Sequence, residues 1–210
     1  MTLFEEFYRS FEALDQERCI QLSYDALSNE SISIEDLYED VLRKSLSFLT
    51  DNESDPTHKI WKEHIQSAIV RTIIEMAYPF VLKQRKLNLN KKAAIVCPDG
   101  EQHELGARMV SDYLRLLGYE TYFVGRDTPR LEFLDMIKTL DLDVVAISVT
   151  NYYNLSKALQ TVVDVKEHFP EVTLVAGGRG LDVNSEVLVK HDVMITHDLN
   201  DLKRYLGENA

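Results

Sequence analysis

A carboxylate and an imidazole lie two positions apart in the polar segment that runs from Cys97 to Gly106. A neutral histidine donates one ring nitrogen to a metal, and a nearby carboxylate that accepts the other ring N–H fixes the tautomer and makes the ring a stronger ligand. Glu101 and His103 have the spacing for such a pair, and Gly106 lets a large group approach the backbone. The segment predicts a metal-binding histidine, although a histidine alone in a loop is weak support.

Two further segments combine small polar residues or glycines in a similar setting. Ser148-Val-Thr150 offers hydroxyl groups that can hydrogen-bond a buried polar ligand, and the alternative is that they cap a helix beginning near Asn154. Gly177-Gly178 permits contact between the backbone and a flat or bulky group, and the alternative is an ordinary turn at the end of a strand. Each segment is ambiguous alone, but together they favour one binding site.

All three segments follow short apolar runs, and the pattern of these runs indicates which fold contains them. From Lys91 onward such runs alternate with amphipathic stretches, which is typical of a parallel sheet covered by helices on both faces. The predicted strands are 93–97, 121–124, 144–147, 173–176 and 193–195, and the predicted helices are 104–117, 129–140, 153–168, 181–189 and 198–206. Ligands of such a sheet bind beyond the carboxyl ends of its strands, so the three segments meet at the binding edge.

The first part of the chain has apolar residues at helical spacing instead. We predict an antiparallel bundle of four or five helices, with helix starts at Ser33 and at Asp55-Pro56 and with Pro79 separating or kinking the last segment. The whole chain is then an α/β protein, with a helical bundle over 1–88 and a doubly wound, five-stranded parallel sheet over 89–210.

The composition limits the partners. The 210 residues include 23 Lys and Arg against 35 Asp and Glu, a formal net charge of −12. Nucleic-acid binding needs a clustered basic surface, so we expect no direct contact with DNA or RNA.

No apolar run approaches the ~20 residues that cross a bilayer, and the start lacks the basic region of a signal peptide, so we exclude a membrane span and expect a cytoplasmic protein. Cys19 and Cys97 are predicted to be buried thiols.

Residues 90–200 resemble the cobalamin-binding domain family. The resemblance rests on three motifs in the family's order and spacing: Glu101-x-His103-x-x-Gly106, Ser148-x-Thr150 and Gly177-Gly178. It implies a Rossmann-like, flavodoxin-like fold that holds the corrinoid with its dimethylbenzimidazole tail displaced into the sheet. It also implies that His103 is the lower cobalt ligand and that the other two motifs lie near the tail.

The helical bundle resembles the cap that covers the upper cobalt face in methionine synthase, in corrinoid methyl carriers and in cobalamin-dependent light-responsive regulators. Trp61, His64 and Ala68 share one face of a helix. The resemblance makes Trp61, Glu63 and His64 cofactor-binding candidates, with His64 the candidate upper cobalt ligand. The alternative is that Trp61 belongs to the core and that His64 is an interior or surface histidine.

Glu101, Ser148-Val149-Thr150 and the Glu63-His64 pair resemble the light-responsive transcriptional regulators more than the methyl carriers, although the regulators carry their tryptophan further upstream than Trp61. This implies a photoreceptor-like sensor without a DNA-binding domain. It would hold adenosylcobalamin or methylcobalamin and signal through a protein partner, such as a transcription regulator, or through a homo-oligomer. The alternatives are a corrinoid methyl-carrier subunit of a methyltransferase and a cobalamin storage protein. We do not expect the chain itself to be an enzyme.

Overall fold

The first part of the chain is helical in the computed structural model, which describes residues 1–51, 59–86 and 88–207. Its helices are α1 (Leu3–Glu12), α2 (Gln16–Ser28), α3 (Ile34–Asp36), α4 (Lys44–Asp51) and α5 (Ile60–Gln84), and a π-helical segment (Leu37–Arg43) joins α3 to α4. They form one compact unit, Met1–Gln84, and Arg85–Ala210 forms another. The boundary at residues 88 and 89 stays a prediction, since compactness alone does not delimit a domain.

Local signals explain where the first helices begin. The Thr2 hydroxyl accepts a hydrogen bond from the backbone N–H of Glu5, and the Glu5 carboxylate accepts one from the N–H of Thr2, which forms a capping box. Ser33 accepts from the N–H of Asp36 in the same way. The predicted helix start at Ser33 is confirmed, whereas Asp55-Pro56 lies outside the described residues.

The long helix α5 is continuous over 25 residues and runs through Pro79. The predicted separation of its last segment is therefore wrong. A proline inside a helix removes one backbone hydrogen bond and costs about 3 kcal/mol. Ala77 and Val81, on either side of Pro79, are fully buried, and their packing keeps this stretch helical.

By length and composition, α5 could also cross a membrane. The length and composition of α5 therefore do not support the sequence-based exclusion of a membrane span. The support for a span is weak, because the core helix of a soluble protein meets the same criteria. The residues of α5 that are buried in the structure are Gln66, Ile69, Val70, Ile73, Ile74, Ala77 and Val81.

The second unit is a parallel sheet with helical connections. Its strands are β1 (Lys92–Pro98), β2 (Glu120–Thr128), β3 (Val144–Ser148), β4 (Thr173–Gly177) and β5 (Val193–Thr196), and its helices are α6 (Leu105–Leu117), α7 (Arg130–Leu140), α8 (Leu155–His168), α9 (Glu186–Val189) and α10 (Leu199–Leu206). The spatial order is β2-β1-β3-β4-β5, with every neighbouring pair parallel. The predicted α/β fold with five parallel strands is confirmed.

The strand order creates the crevice in which a ligand is expected. The chain moves from β2, on one side of β1, to β3, on the other side, and ligands of open α/β sheets bind at such a reversal. Because β1 ends at Pro98 and β3 ends at Ser148, the loops that follow these two strands lie at this edge. The strand register also pairs Ser148 with Gly177 at the end of β4.

Candidate functional site

The loop after β1 makes a tight turn before it reaches Glu101. The backbone N–H of Glu101 donates to the carbonyl of Pro98 at 2.9 Å, and Gly100 has φ +83°, a conformation that favours glycine. Asp127, at the end of β2, accepts from the N–H of Gly100 at 2.8 Å and donates its own N–H to the carbonyl of Glu101 at 3.1 Å. The ends of β1 and β2 together therefore fix the backbone of Glu101.

The Glu101 carboxylate contacts His103 through one of its oxygens. Oε1 lies 2.6 Å from the ring Nδ1 of His103 and accepts from the His103 backbone N–H at 3.0 Å. The Glu101 side chain is completely buried, whereas 57% of the His103 side chain is exposed. The predicted carboxylate–imidazole pair is thus present, with the carboxylate inside and the ring at the surface.

The other oxygen of Glu101 is held by the loop after β3. Oε2 accepts from the backbone N–H groups of Thr150 at 3.0 Å and Asn151 at 2.8 Å, and from the side-chain amide of Asn154 at 3.2 Å. A buried carboxylate with this many donors is stable as an anion. Glu101 therefore connects the loop that carries His103 to the loop after β3.

These contacts determine the protonation of the pair. Burial acts to raise the pKa of Glu101, but hydrogen bonds from His103, Asn151 and Asn154 outweigh it and lower the pKa to about 2. With the carboxylate ionised, the proton between the two side chains lies on Nδ1 of His103. Nε2, on the opposite edge of the neutral ring, then has the lone pair that binds a metal.

The donor set fits a metal that brings most of its ligands with it. Among the described residues, no group of three or more His, Cys, Asp or Glu side chains could hold a metal ion. A structural zinc site would need about four such ligands. Cobalt in a corrinoid is already bound by the macrocycle, so His103 can serve as a single axial ligand.

Ser148 and Thr150 lie at the predicted edge, where they contact Cys97 and Glu101. The Ser148 hydroxyl hydrogen-bonds the thiol of Cys97, and Thr150 contributes its backbone N–H to Glu101. Burial, followed by the charges of Glu101 and Glu104, raises the pKa of Cys97 to about 12, so this thiol stays protonated. Both cysteines are buried free thiols, as predicted. The ligand contacts of Ser148 and Thr150 stay a prediction.

The glycines of the site differ in what surrounds them. An added Cβ on Gly178 would lie 2.4 Å from the carbonyl oxygen of Val149, and one on Gly177 would lie 2.8 Å from Oγ1 of Thr196. These two glycines are therefore needed for the close approach of protein segments, a reason that the sequence did not indicate. At Gly106, no atom of the described residues lies within 4 Å of an added Cβ, which leaves open space beside α6.

Trp61, Glu63 and His64 belong to the helical unit, at the start of α5. Trp61 is 59% exposed, and His64 and Ala68 are exposed on the same helix face. The alternative that Trp61 is part of the buried core is wrong. Because these residues and the Glu101–His103 pair belong to different compact units, the role of His64 as an upper cobalt ligand stays a prediction.

Sequence analysis missed Asn154 as a site residue. From the sequence it is only the start of a helix that the Ser148 or Thr150 hydroxyl could cap, and its own side chain makes no capping hydrogen bond to α8. The capping side chain in this loop is that of Asn151, which accepts from the N–H of Tyr153 and caps the short 3₁₀ turn Tyr152–Asn154 before α8. A polar residue six positions beyond the end of β3 at Ser148, on the edge that carries the other motifs, is the signal that could have identified Asn154.

Comparison with known proteins supports the same kind of site. The chain is similar to dimethylamine corrinoid protein 3 of Methanosarcina acetivorans, with 36% identity over 50 residues that make up 24% of each chain. It is also similar to the HTH-type transcriptional repressor CarA of Myxococcus xanthus, with 24% identity over 119 residues, or 57% of this chain and 40% of that protein. The matched segments thus span less than half the length of these relatives.

Among solved structures, the fold is similar to that of the monomethylamine corrinoid protein of Methanosarcina barkeri, with a TM-score of 0.85 and 13% sequence identity. The likeness covers 99% of this chain and 98% of that one. At such low identity it shows the fold alone.

A family model described as "B12 binding domain" matches residues 91–198, about half of the chain. The match includes the Glu101–His103 pair together with the two motifs after β3 and β4, and it confirms the resemblance seen in the sequence. The chain therefore belongs to the B12 binding domain family.

Proposed function

We propose that the chain carries a corrinoid, holds its cobalt from below through His103 and presents a methyl group on that corrinoid to a methyltransferase partner. The observation that carries the proposal is the pair formed by Glu101 and His103. The buried carboxylate accepts from Nδ1 at 2.6 Å, so Nε2 is the ring nitrogen that would bind the cobalt. The pair lies at the strand-order reversal, where ligands of this fold class bind.

A bound corrinoid supplies a cobalt centre that accepts a methyl group and gives it up again. The protein supplies position and electrostatics. Glu101 holds the Nδ1 proton, which keeps the imidazole in the tautomer that binds through Nε2 and increases its basicity. Because three donors from the loop after β3 hold Glu101 in turn, the ring would stay oriented toward a bound corrinoid.

The comparisons favour this carrier, which was an alternative in the sequence analysis, over the light-responsive sensor. The match to dimethylamine corrinoid protein 3 has a higher sequence identity, 36% over 50 residues, than the match to CarA, which has 24% over 119 residues. A methylated amine is therefore the first methyl donor to test, with a methyltransferase that uses it as the partner.

Reconstitution tests the lower ligand. The protein is incubated with hydroxocobalamin and desalted, and the ratio of corrinoid to protein is measured together with the absorption spectrum. We expect the parent protein to retain corrinoid and His103→Ala to retain it at least about tenfold more weakly, as for other changes at metal ligands and their partners. His168→Ala, a change of an exposed histidine at the end of α8, is the matched control. Equal retention by His103→Ala and the parent contradicts the assignment.

The match to CarA is the observation that favours a sensor, since it covers a larger share of this chain than the match to the dimethylamine corrinoid protein. A sensor would hold adenosylcobalamin stably in the dark and change its assembly on illumination. Size-exclusion chromatography of the adenosylcobalamin-loaded protein, before and after green light, separates the two functions. A change in assembly favours the sensor, and methylation of the reduced, bound corrinoid by a methylamine methyltransferase system favours the carrier.

A further inference from the structure

The second unit contains a cavity that the proposed function does not use. It has a volume of about 270 Å³, and the described residues that line it are Lys86, Asn200, Lys203, Arg204 and Gly207. Every charged residue among them is a cation, although the chain has a formal net charge of −12. A local group of cations attracts anions that the rest of an acidic surface repels.

The helix α10 supplies one wall of the cavity. Its lining residues, with the glycine that ends the helix, are spaced at i, i+3, i+4 and i+7, which places them on one side of the helix. The opposite side of α10 is apolar and buried. Lys86, from the segment before β1, supplies the other wall, so the cavity lies between two separate segments of the chain.

Hydrogen bonds hold both walls in place. The backbone N–H of Lys86 donates to the carbonyl of Leu116, in the last turn of α6, at 3.2 Å. The buried hydroxyl of Tyr119 donates to the carbonyl of Leu206, at the end of α10, at 3.2 Å. Lys86 precedes β1 and Tyr119 precedes β2, whereas His103 follows β1. This end of the cavity is therefore near the amino ends of the strands, opposite the edge proposed for the corrinoid.

Two of the three cations have no anionic partner. Among the residues that the structure describes, the ammonium groups of Lys86 and Lys203 make no ion pair or hydrogen bond, whereas Arg204 pairs with Asp201. Cations in the last turn of a helix stabilise its dipole, which accounts for Lys203 and Arg204. The dipole does not account for Lys86, which comes from another segment. The cavity thus has two positive charges that the protein does not compensate.

We propose that this cavity binds a small anion with two or more negative charges, either a phosphate ester or a polycarboxylate. Lys86 and Lys203 supply the compensating charge, and the side-chain amide of Asn200 supplies a further donor. A phosphate ester carries a charge of about −1.5 to −2 at pH 7 and three acceptor oxygens, which matches two free ammonium groups. The volume is just below the range of ~300 to 1,000 Å³ that is typical of small-molecule pockets, so the cavity fits a small anion. This site is independent of the corrinoid.

Titration of the ¹⁵N-labelled full-length chain with pyrophosphate, and separately with citrate, tests the site. Amide ¹H–¹⁵N spectra are recorded at constant ionic strength, and the Gly207 amide is the reporter because it lines the cavity. A parallel titration with sodium chloride measures the effect of salt alone. The variants are Lys86→Gln, Lys203→Gln and the double variant. Lys138→Gln is the matched control, because Lys138 is an exposed lysine in the last turn of another helix, α7.

We expect saturable shifts of the Gly207 signal with at least one probe, and the probe that binds more tightly identifies phosphate or carboxylate as the preferred group. Lys86→Gln and Lys203→Gln should each weaken binding about fivefold, as for the loss of one charge contact near the surface. Lys138→Gln should bind as the parent does. An absence of saturable shifts with both probes, equal shifts with chloride, or parent-like affinity in the double variant would each overturn the site.

Discussion

Glu101 is the residue on which the geometry of the site depends most. Its carboxylate is completely buried and accepts hydrogen bonds at both oxygens, from His103 on one side and from the loop after β3 on the other. A buried carboxylate is costly without such partners and stabilising with them. The same residue thus contributes to the stability of the sheet unit and to the orientation of the proposed ligand.

Replacement of Glu101 by glutamine keeps the size of the side chain and removes its charge. In the carboxylate of Glu101, both oxygens accept hydrogen bonds. Glutamine has an NH₂ group in place of one of these oxygens, so the donors on that side lose their acceptor. We expect the free energy of unfolding to fall by about 3 kcal/mol, since buried donors lose their partner. Urea denaturation measures this change. Glu167→Gln, at an exposed position of α8, should leave the unfolding free energy within about 0.5 kcal/mol of the parent.

The lowered pKa of Glu101 predicts how stability depends on pH. Its stabilising contribution is complete above about pH 4.5, the ordinary pKa of the carboxyl, and is lost as the pH falls through the folded-state pKa of about 2. The total contribution is on the order of 3 kcal/mol. Denaturation at a series of pH values between 5 and 3 should show a steeper fall for the parent than for Glu101→Gln. Parallel curves for the two proteins would be inconsistent with a depressed pKa.

At the residue level, local spacing predicted one half of the site. Glu101 and His103 are two positions apart, and their contact follows from the sequence. The contact between Asn154 and Glu101 joins residues 53 positions apart, and no local pattern encodes it. The sequence offered the Ser148 and Thr150 hydroxyls as caps of the helical start near Asn154, whereas in the folded chain the Asn151 side chain caps the short 3₁₀ turn Tyr152–Asn154.

At the level of secondary-structure elements, the two types of glycine should respond to substitution in opposite ways. Gly178 has φ +109°, and an added Cβ would meet the carbonyl of Val149, so Gly178→Ala should lower the free energy of unfolding by about 3 kcal/mol. Gly106 lies in the first turn of α6 beside open space, so Gly106→Ala should leave stability unchanged or raise it by up to ~1 kcal/mol.

Gly106→Ala should nevertheless weaken corrinoid retention about tenfold, because the new methyl group would enter the space proposed for the ligand. Thermal unfolding and desalting assays on the same two variants measure both effects. If Gly106→Ala retains hydroxocobalamin as well as the parent does, the corrinoid does not approach α6 at this point.

Pro79 provides a prediction for the helical unit. It is exposed within α5 and cannot donate a backbone hydrogen bond, so its replacement should restore one bond of the helix. We expect Pro79→Ala to raise the free energy of unfolding by about 1 to 3 kcal/mol, as measured by urea denaturation. A loss of stability would mean that the proline ring makes packing contacts that outweigh the missing hydrogen bond.

The elements themselves were predicted to different degrees. Continuous apolar runs identified all five strands, because strands that are buried on both faces are apolar at successive positions, whereas amphipathic helices alternate apolar and polar positions. The predicted helix 181–189 is reduced to the short α9 (Glu186–Val189) after a 3₁₀ turn at Arg179–Leu181, since the polar residues before α9 favour turns. The continuity of α5 through Pro79 depends on tertiary packing, which sequence periodicity does not contain.

On the scale of the whole molecule, family membership follows from motifs that are far apart in sequence and meet at one edge of the sheet. The function within the family does not follow from those motifs, because a carrier and a sensor can use the same lower ligand. The resemblance in the sequence makes Trp61 and His64 the candidate residues for the upper side of the corrinoid, and this role stays a prediction. A cytoplasmic location and the lack of direct nucleic-acid binding stay predictions.

Electron paramagnetic resonance of the protein loaded with cob(II)alamin tests the central claim most directly, with ¹⁵N-labelled histidine and natural-abundance corrinoid. If the His103 imidazole is the lower ligand, its nitrogen splits the cobalt lines. Replacing ¹⁴N by ¹⁵N in histidine alone then changes triplets into doublets, and His103→Ala abolishes the effect. Triplets that persist in the labelled protein would show that the dimethylbenzimidazole of the corrinoid, and not His103, binds the cobalt.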